Sequence, residues 1–189
     1  MEGYVESTAS GFLAAIAMAE RRVKDAEEAL SAALSLQVTP AALFLKAQVY
    51  RLKDDLLKAA ATALEAHTLC PADVSLARQA FALALRAKLH GEIIAAYESA
   101  PEKVQADGRV AMTYAFALLR EGKIDEAEAV LYRDGGLSVT DIREGEISLT
   151  SLYMDIQMKR AELRGETLDP ADIDVPRRFD FRMNVPKKK

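Results

Sequence analysis

Residues 109–131 read RVAMTYAFALLREGKIDEAEAVL, in which two mainly apolar segments flank the polar break REGK. Gly122 stands in that break, where a glycine typically ends one helix before the next begins. Ala115 and Ala127 lie twelve residues apart on either side of it. A small residue in each helix allows the two helices to pack closely and antiparallel. The stretch therefore predicts a helix–turn–helix unit.

Three further alanine pairs have the same spacing across a polar break: Ala17/Ala29, Ala47/Ala59 and Ala84/Ala96. Together the pairs predict four helix–turn–helix units. We expect helices over residues 7–22, 25–36, 41–53, 54–69, 72–89 and 91–99, then a polar connection over residues 101–107 and the pair within residues 109–131. Helical spacing predicts a ninth helix at about residues 148–164, which caps the last unit. Several prolines predict an extended tail after it.

Composition and charge favour a helical protein and exclude some functions. The 189 residues carry a net charge of −4, half of them are hydrophobic, and Trp is absent. Abundant alanine favours closely packed helices, and the modest charge gives no electrostatic basis for nucleic-acid binding. The single cysteine, Cys70, excludes an internal disulfide and favours a reducing compartment. Without a bilayer-length apolar run or a secretory signal pattern, we expect a cytoplasmic protein and no membrane partner.

The repeats resemble the tetratricopeptide family, which has a small residue near the eighth repeat position, glycine near the fifteenth and alanine at the twentieth. Gly122 and Ala127 match this pattern in the fourth unit, as do Gly91 and Ala96 in the third. The resemblance covers residues 7–133. It implies an all-α protein: a tetratricopeptide-like right-handed α-solenoid of about four degenerate helix–turn–helix units, with a C-terminal capping helix and an extended tail.

The match to the tetratricopeptide pattern is incomplete. The second unit has Tyr50, Ala59 and Pro71 at matching positions, but Asp54 stands where glycine is usual, as does Lys24 in the first unit. No unit has the family's tryptophan, and the intervals between alanine pairs depart from the usual repeat of about 34 residues. An irregular helical bundle is therefore the alternative fold.

The C-terminal part differs from the repeats. Residues 141–150 and 180–183 are similar to the end of a family of uncharacterised bacterial proteins, in which helical repeats follow a large β-rich module that resembles carbohydrate-active enzymes. We expect repeats over residues 1–136, and a polar loop, capping helix and basic tail over residues 137–189, packed on the same domain. The resemblance implies an alternative function: a detached C-terminal accessory domain of a larger enzyme, without catalysis of its own.

In tetratricopeptide proteins the first helix of each repeat lines a concave face. Carried over by repeat position, the resemblance implies an apolar groove with a basic rim, formed by Phe44, Gln48, Arg51, Arg78, Phe81, Leu85, Lys88, Arg109, Met112 and Phe116. Such a groove suits an amphipathic helix or extended peptide that carries apolar side chains and acids. We therefore expect a scaffold or adaptor that binds another protein. The alternative is that the three phenylalanines belong to the core.

The tail carries three large side chains at alternating positions, Phe179, Phe181 and Met183. In an extended segment they would project to one side. We predict that they dock the tail onto the repeats and cover apolar surface. The expected occupants of the groove are thus another protein or peptide, the chain's own tail, or a second copy of the chain.

Side chains with catalytic or metal-binding chemistry are sparse. His67 and Cys70 lie three residues apart, but the other histidine, His90, falls in a different unit, and structural zinc usually takes four ligands. The carboxylates between residues 141 and 146 fall in a polar turn, where solvated charges are usual. We therefore expect no metal site, no cofactor and no enzymatic activity.

Overall fold

The computed structural model describes residues 22–139 and 148–181, together with Ser10, Gly11, Ala14, Ala15 and Ala17. Within this part of the chain the regular structure consists of α-helices and two short 3-10 helices, without a β-strand. The prediction of an all-α protein is confirmed. The five separately described residues are helical, and the rest of the helix predicted over residues 7–22 lies almost wholly outside the described residues.

The described α-helices follow one another along the chain with short connections. They are α1 (Val23–Leu36), α2 (Pro40–Leu52), α3 (Leu56–Leu69), α4 (Val74–Arg86), α5 (His90–Glu98), α6 (Glu102–Gln105), α7 (Gly108–Arg120), α8 (Ile124–Tyr132) and α9 (Leu149–Leu163). The 3-10 helices are Arg133–Gly135 and Pro170–Asp172.

Two predicted irregular segments contain regular structure. The polar connection over residues 101–107 includes α6, where Val104 is buried and its amide donates to the Pro101 carbonyl at 2.8 Å. The tail is not extended throughout, because the Asp169 carboxylate accepts from the Ala171 amide at 2.8 Å and starts a 3-10 turn. In the tail, Pro170 is the first residue of the 3-10 helix, where its fixed φ is favourable.

The first helices of three successive units repeat at an interval of 34 residues. α2, α4 and α7 contain 13 residues each and begin at positions 40, 74 and 108. Their N-caps, Thr39, Asp73 and Asp107, repeat at the same interval, and each side chain accepts from the amide three residues later. The side-chain oxygen satisfies a first-turn amide that has no partner within the helix, and so defines where each helix begins.

The turns that end these helices repeat at the same interval. Asp54, Lys88 and Gly122 have left-handed φ angles of 61°, 61° and 78°. In each turn the next amide donates to the carbonyl five residues before it, at 2.9 Å. This is the Schellman pattern of helix termination, which favours glycine because glycine has no Cβ. Two of the three turns form without glycine, so a search for glycine alone underestimates the repetition.

The structural interval corrects the register inferred from the alanine pairs. Ala47 is equivalent to Phe81 and Ala115, not to Ala84, so the positions predicted for the third unit are displaced by three residues. Ala84 lies almost one helical turn beyond Phe81 and is also fully buried. For this reason the sequence pattern assigned Ala84, instead of Phe81, to the repeated alanine position. The two unequal intervals on either side of Ala84 therefore reflect where alanine is placed, because the helices themselves start at equal intervals.

By its internal contacts the chain divides into two compact units, Met1–Val104 and Gln105–Lys189. The first unit and the second unit below are these compact units and not single helix–turn–helix repeats. This grouping differs from the predicted division at residue 136. In the first unit, consecutive helices from α1 to α5 pack on one another. Ala47 of α2 and Ala59 of α3 are fully buried, as close packing of this pair requires.

The second unit is organised around α7. Every residue from Val110 to Leu119 is buried, and α8 and α9 pack both on α7 and on each other. A capping box formed by Ser148 and Ser151 begins α9. α9 therefore packs against both helices of the preceding pair, as a capping helix does.

Charged pairs on the solvent side connect α9 to α7 and α8. Arg120 lies 3.1 Å from Asp155, and Arg160 lies 2.8 Å from Asp125 and also pairs with Glu128. Burial raises the pKa of Asp155, and the nearby Arg120 opposes that rise. These pairs add orientation to an interface whose stability comes from buried apolar side chains.

Candidate functional site

α2 and α4 of the first unit have equivalent repeat positions that remain accessible to solvent. With the 34-residue interval, the residues equivalent to Phe44, Gln48 and Arg51 of α2 are Arg78, Ala82 and Leu85 of α4. We call these six residues the α2–α4 face. Arg51 and Ala82 are exposed and the other four are half-buried, so the whole set is accessible to a partner.

The α2–α4 face combines apolar and basic groups. Phe44 packs at the edge of an apolar cluster that includes Leu43 and Leu76, which brings α2 and α4 to one patch of core. The Arg51 guanidinium donates from Nε to Gln48 Oε1 at 2.8 Å. Lys88 follows α4 and is exposed. The α2–α4 face therefore has both apolar and basic members, and it includes Ala82, which sequence reasoning missed; its role as a binding groove stays a prediction.

Phe81 lies inside the first unit and not on the α2–α4 face. It is fully buried, and its ring meets the His67 ring edge-on with 5.4 Å between centroids. The displaced register is the reason that Phe81 was placed in the groove. Its position fits the alternative that aromatic residues at helical spacing belong to the core.

The predicted groove residues of the second unit lie on α7. Met112 and Phe116 are buried, and Arg109 is half-buried. They lie on the helix around which α8 and α9 pack. A groove that continues through these residues stays a prediction.

His67 is the most unusual polar side chain of the first unit. It is buried, and its Nδ1 has no hydrogen-bond partner among the described residues. Burial lowers its pKa, and the charge of Asp73 partly opposes this. The half-buried Cys70 follows at the end of α3. Across the described residues no group of three or more His, Cys, Asp or Glu side chains has an arrangement suited to a metal ion.

One end of the first unit exposes several aliphatic side chains. α1 and α3 end there and α2 and α4 begin there, and residues 29–45 and 66–72 contain no Asp, Glu, Lys or Arg, although the exposed Asp73 follows directly as the N-cap of α4. We call this surface the aliphatic end. Leu36, Val38 and Leu69 are exposed on it by 46, 56 and 51%. The uncharged run was visible in the sequence, but the exposure of these side chains was not.

The C-terminal segment of the second unit, residues 173–181, packs onto α8 and α9. Phe179 is fully buried between Tyr132 and Tyr153, with ring centroids 5.4 and 6.1 Å away. The Arg178 guanidinium lies 5.0 Å from the Tyr132 centroid and donates to the Gly135 carbonyl at 2.5 Å. Ile173 and Val175, which precede this anchor, are also buried.

The three tail residues predicted to dock do not behave alike. Phe179 is buried, whereas Phe181 is 48% exposed. A turn closed by the Phe179 amide and the Pro176 carbonyl at 2.8 Å comes directly before these two residues. Met183 lies outside the described residues, as do Asp141, Glu144 and Glu146.

Comparison with known protein families, curated proteins and solved structures finds no match to this chain. In the described part of the chain, the helices are too short or too polar to cross a membrane. What the described residues define is an all-α protein in which helix starts, N-caps and left-handed turns recur at an interval of 34 residues.

Proposed function

We propose that this chain is a protein-binding scaffold or adaptor, built as a tetratricopeptide-like right-handed solenoid. The 34-residue interval of helix starts, N-caps and left-handed turns supports the architecture, since about 34 residues is the repeat length of that family. A solenoid displays equivalent positions of successive repeats side by side, which is how such proteins form extended binding surfaces.

The observation that carries the functional proposal is the contrast between the two sides of α2 and α4. Ala47 and Phe81 face the interior and are fully buried, whereas all six residues of the α2–α4 face retain solvent access. An accessible surface with an aromatic residue and two arginines has residue types that are enriched at protein-binding sites.

The partner's chemistry follows from the residues of the face. Phe44 and Leu85 supply apolar contacts, while Arg51 and Arg78 favour carboxylates. A short amphipathic helix or extended peptide with apolar side chains and Asp or Glu residues matches both requirements. Because the guanidinium of Arg51 is exposed, we expect the affinity to fall as salt concentration rises.

The experiment selects binding peptides from a displayed random library and measures their affinities by fluorescence anisotropy. Ala82→Glu places a carboxylate at an exposed position on the face, and we expect it to weaken the selected peptides at least about tenfold. Ala61→Glu is the matched control, because Ala61 is an exposed alanine on α3. Equal affinities for the two variants, or failure to enrich any acidic apolar peptide, contradict the proposal.

A further inference from the structure

We infer that the second unit contains a peptide-binding site of its own, which the C-terminal segment, residues 173–181, fills as a tethered ligand. Tyr132, Gly135, Thr150 and Tyr153 form this site, which we call the α8–α9 site. Its partner is a short peptide segment of another protein that carries the same recognition pattern and displaces the tethered one. The site belongs to a different compact unit from the α2–α4 face, and the inference goes beyond binding there.

The α8–α9 site holds the backbone of the C-terminal segment through one side chain. Thr150 is buried, and its hydroxyl donates to the Phe179 carbonyl at 2.6 Å and accepts from the Phe181 amide at 3.0 Å. In peptide recognition, hydrogen bonds to the main chain give affinity, whereas pockets for individual side chains give specificity. A peptide of another protein can form the same two hydrogen bonds, because they involve backbone groups.

Buried apolar side chains of the C-terminal segment give the site its specificity. Phe179 is fully buried between the Tyr132 and Tyr153 rings, and Ile173 and Val175 are buried at alternate positions before it. An aromatic residue in a desolvated pocket usually contributes most of the binding energy of an interface. The site therefore selects a phenylalanine with aliphatic residues four and six positions before it.

The position before this phenylalanine selects arginine. The Arg178 guanidinium lies 5.0 Å from the Tyr132 centroid, where a cation is attracted to the ring, and it donates to the Gly135 carbonyl. A Cβ on Gly136 would lie 3.3 Å from Arg178 Cδ, so this glycine leaves room for the arginine side chain. Lysine lacks the planar group that can stack on a ring while it donates hydrogen bonds in several directions.

The helices around the α8–α9 site pack on one another without the segment between them. α7, α8 and α9 are in direct contact. The pairs between Arg120 and Asp155 and between Arg160 and Asp125 also connect α9 to the other two helices. Departure of the segment therefore exposes the aromatic pocket but leaves the contacts among the three helices in place. Such a pocket is largely formed before a ligand binds.

An exposed linker joins the C-terminal segment to α9. Every residue from 164 to 172 is exposed except the half-buried Leu168. The segment is thus a peptide held beside its own site, and short linkers give an effective concentration on the order of 1 mM. With a Kd of about 10 µM for the untethered segment, the tether would keep the site about 99% filled. A partner peptide must therefore compete with the segment, so the tether sets a threshold for binding.

The experiment converts the tethered segment into a free ligand. A recognition sequence for a site-specific protease is inserted after Thr167 in the full chain, the linker is cut, and the released fragment is removed by gel filtration. Fluorescence anisotropy then measures binding of a labelled peptide with the sequence of residues 170–181. We expect a Kd of about 1–100 µM for the cut protein, and apparent binding at least about tenfold weaker for the uncut protein.

Two substituted peptides test the contacts. Phe179→Ala in the peptide leaves the aromatic pocket empty, and we expect at least about tenfold weaker binding. Phe181→Ala is the matched control, because it removes a ring that is 48% exposed in the chain. We expect it to change the affinity less than about threefold.

Several outcomes overturn the inference. Loss of helical circular dichroism on removal of the fragment would make the segment an ordinary part of the core. A peptide that does not bind the cut protein, equal loss in the two substituted peptides, or equal binding to cut and uncut protein would also contradict it. The Ala82→Glu chain, cut in the same way, should bind the 170–181 peptide unchanged. That measurement separates this site from the α2–α4 face, so the two proposals can fail independently.

Discussion

Asp54 and Lys88 occupy the same place in successive turns, 34 residues apart, and share a left-handed φ of 61°. Gly122 occupies the third equivalent place with a φ of 78°. The Asp55 and Leu89 amides that follow the first two turns donate to the carbonyls five residues earlier, both at 2.9 Å. The repeat is therefore clearer in the backbone geometry of these turns than in the identity of their residues.

A glycine at Lys88 should stabilise the protein. An ordinary side chain in the left-handed region costs roughly 1 kcal/mol, which glycine avoids. We therefore expect Lys88→Gly to raise the free energy of unfolding by up to about 1 kcal/mol in urea titrations. Gly122→Ala is the reciprocal change and should lower it by a similar amount. Destabilisation by Lys88→Gly would show that its side chain matters more than its backbone angle.

The Thr150 hydroxyl should contribute to holding the C-terminal segment. It donates to the Phe179 carbonyl at 2.6 Å and accepts from the Phe181 amide at 3.0 Å. Thr150→Val keeps the shape but leaves both backbone groups unpaired, at a cost of about 1–3 kcal/mol. Thr150→Ser retains the hydroxyl and is the control. The measurement is amide hydrogen exchange at Phe181, and equal exchange in the two variants would contradict the prediction.

Two glycines at helix starts should respond to alanine in opposite directions. A Cβ on Gly108 would lie 1.9 Å from the Ser138 carbonyl oxygen, whereas a Cβ on Gly91 meets nothing within 4 Å. Gly108→Ala forces the backbone of residues 137–139 to move, at a cost of about 1–3 kcal/mol. Gly91→Ala should instead stabilise α5 by up to about 1 kcal/mol. Thermal denaturation of both variants tests the prediction, which fails if the two melting temperatures change alike.

His67 should make the first unit sensitive to acid. Because burial lowers its folded-state pKa below the ordinary value of 6.5, the folded protein favours the neutral imidazole. Its contribution to stability is present above pH 6.5 and is lost as the pH falls below that value, since the unfolded state then binds the proton more readily. As the pH is lowered from about 7 to about 5, we expect the urea concentration at the denaturation midpoint to decrease.

His67→Phe is the control for the acid response, because it keeps an aromatic ring beside Phe81 and removes the titrating group. Its denaturation midpoint should vary less over the same pH range. An identical pH dependence in His67→Phe and the unsubstituted chain would assign the response to other groups.

Local signals in the sequence predicted the helical units because their causes act over a few residues. Thr39 followed by Pro40 indicated a helix start, and the Thr39 side chain accepts from the Ala42 amide. Gly122 indicated a helix end, and it has the left-handed φ that glycine favours. The equivalent helix ends at Asp54 and Lys88 lack this glycine signal. They form nonetheless, since a favourable backbone hydrogen bond can outweigh the strain of a side chain.

The sequence by itself determined that this protein is helical and where most of its helices begin and end. Only the tertiary structure decided which side chains are covered. Phe44 and Phe81 both lie on first helices, yet one is half-buried and the other fully buried. Phe179 and Phe181 differ likewise. Helix formation depends on contacts between residues three or four positions apart, whereas burial depends on helices and segments that are distant in sequence.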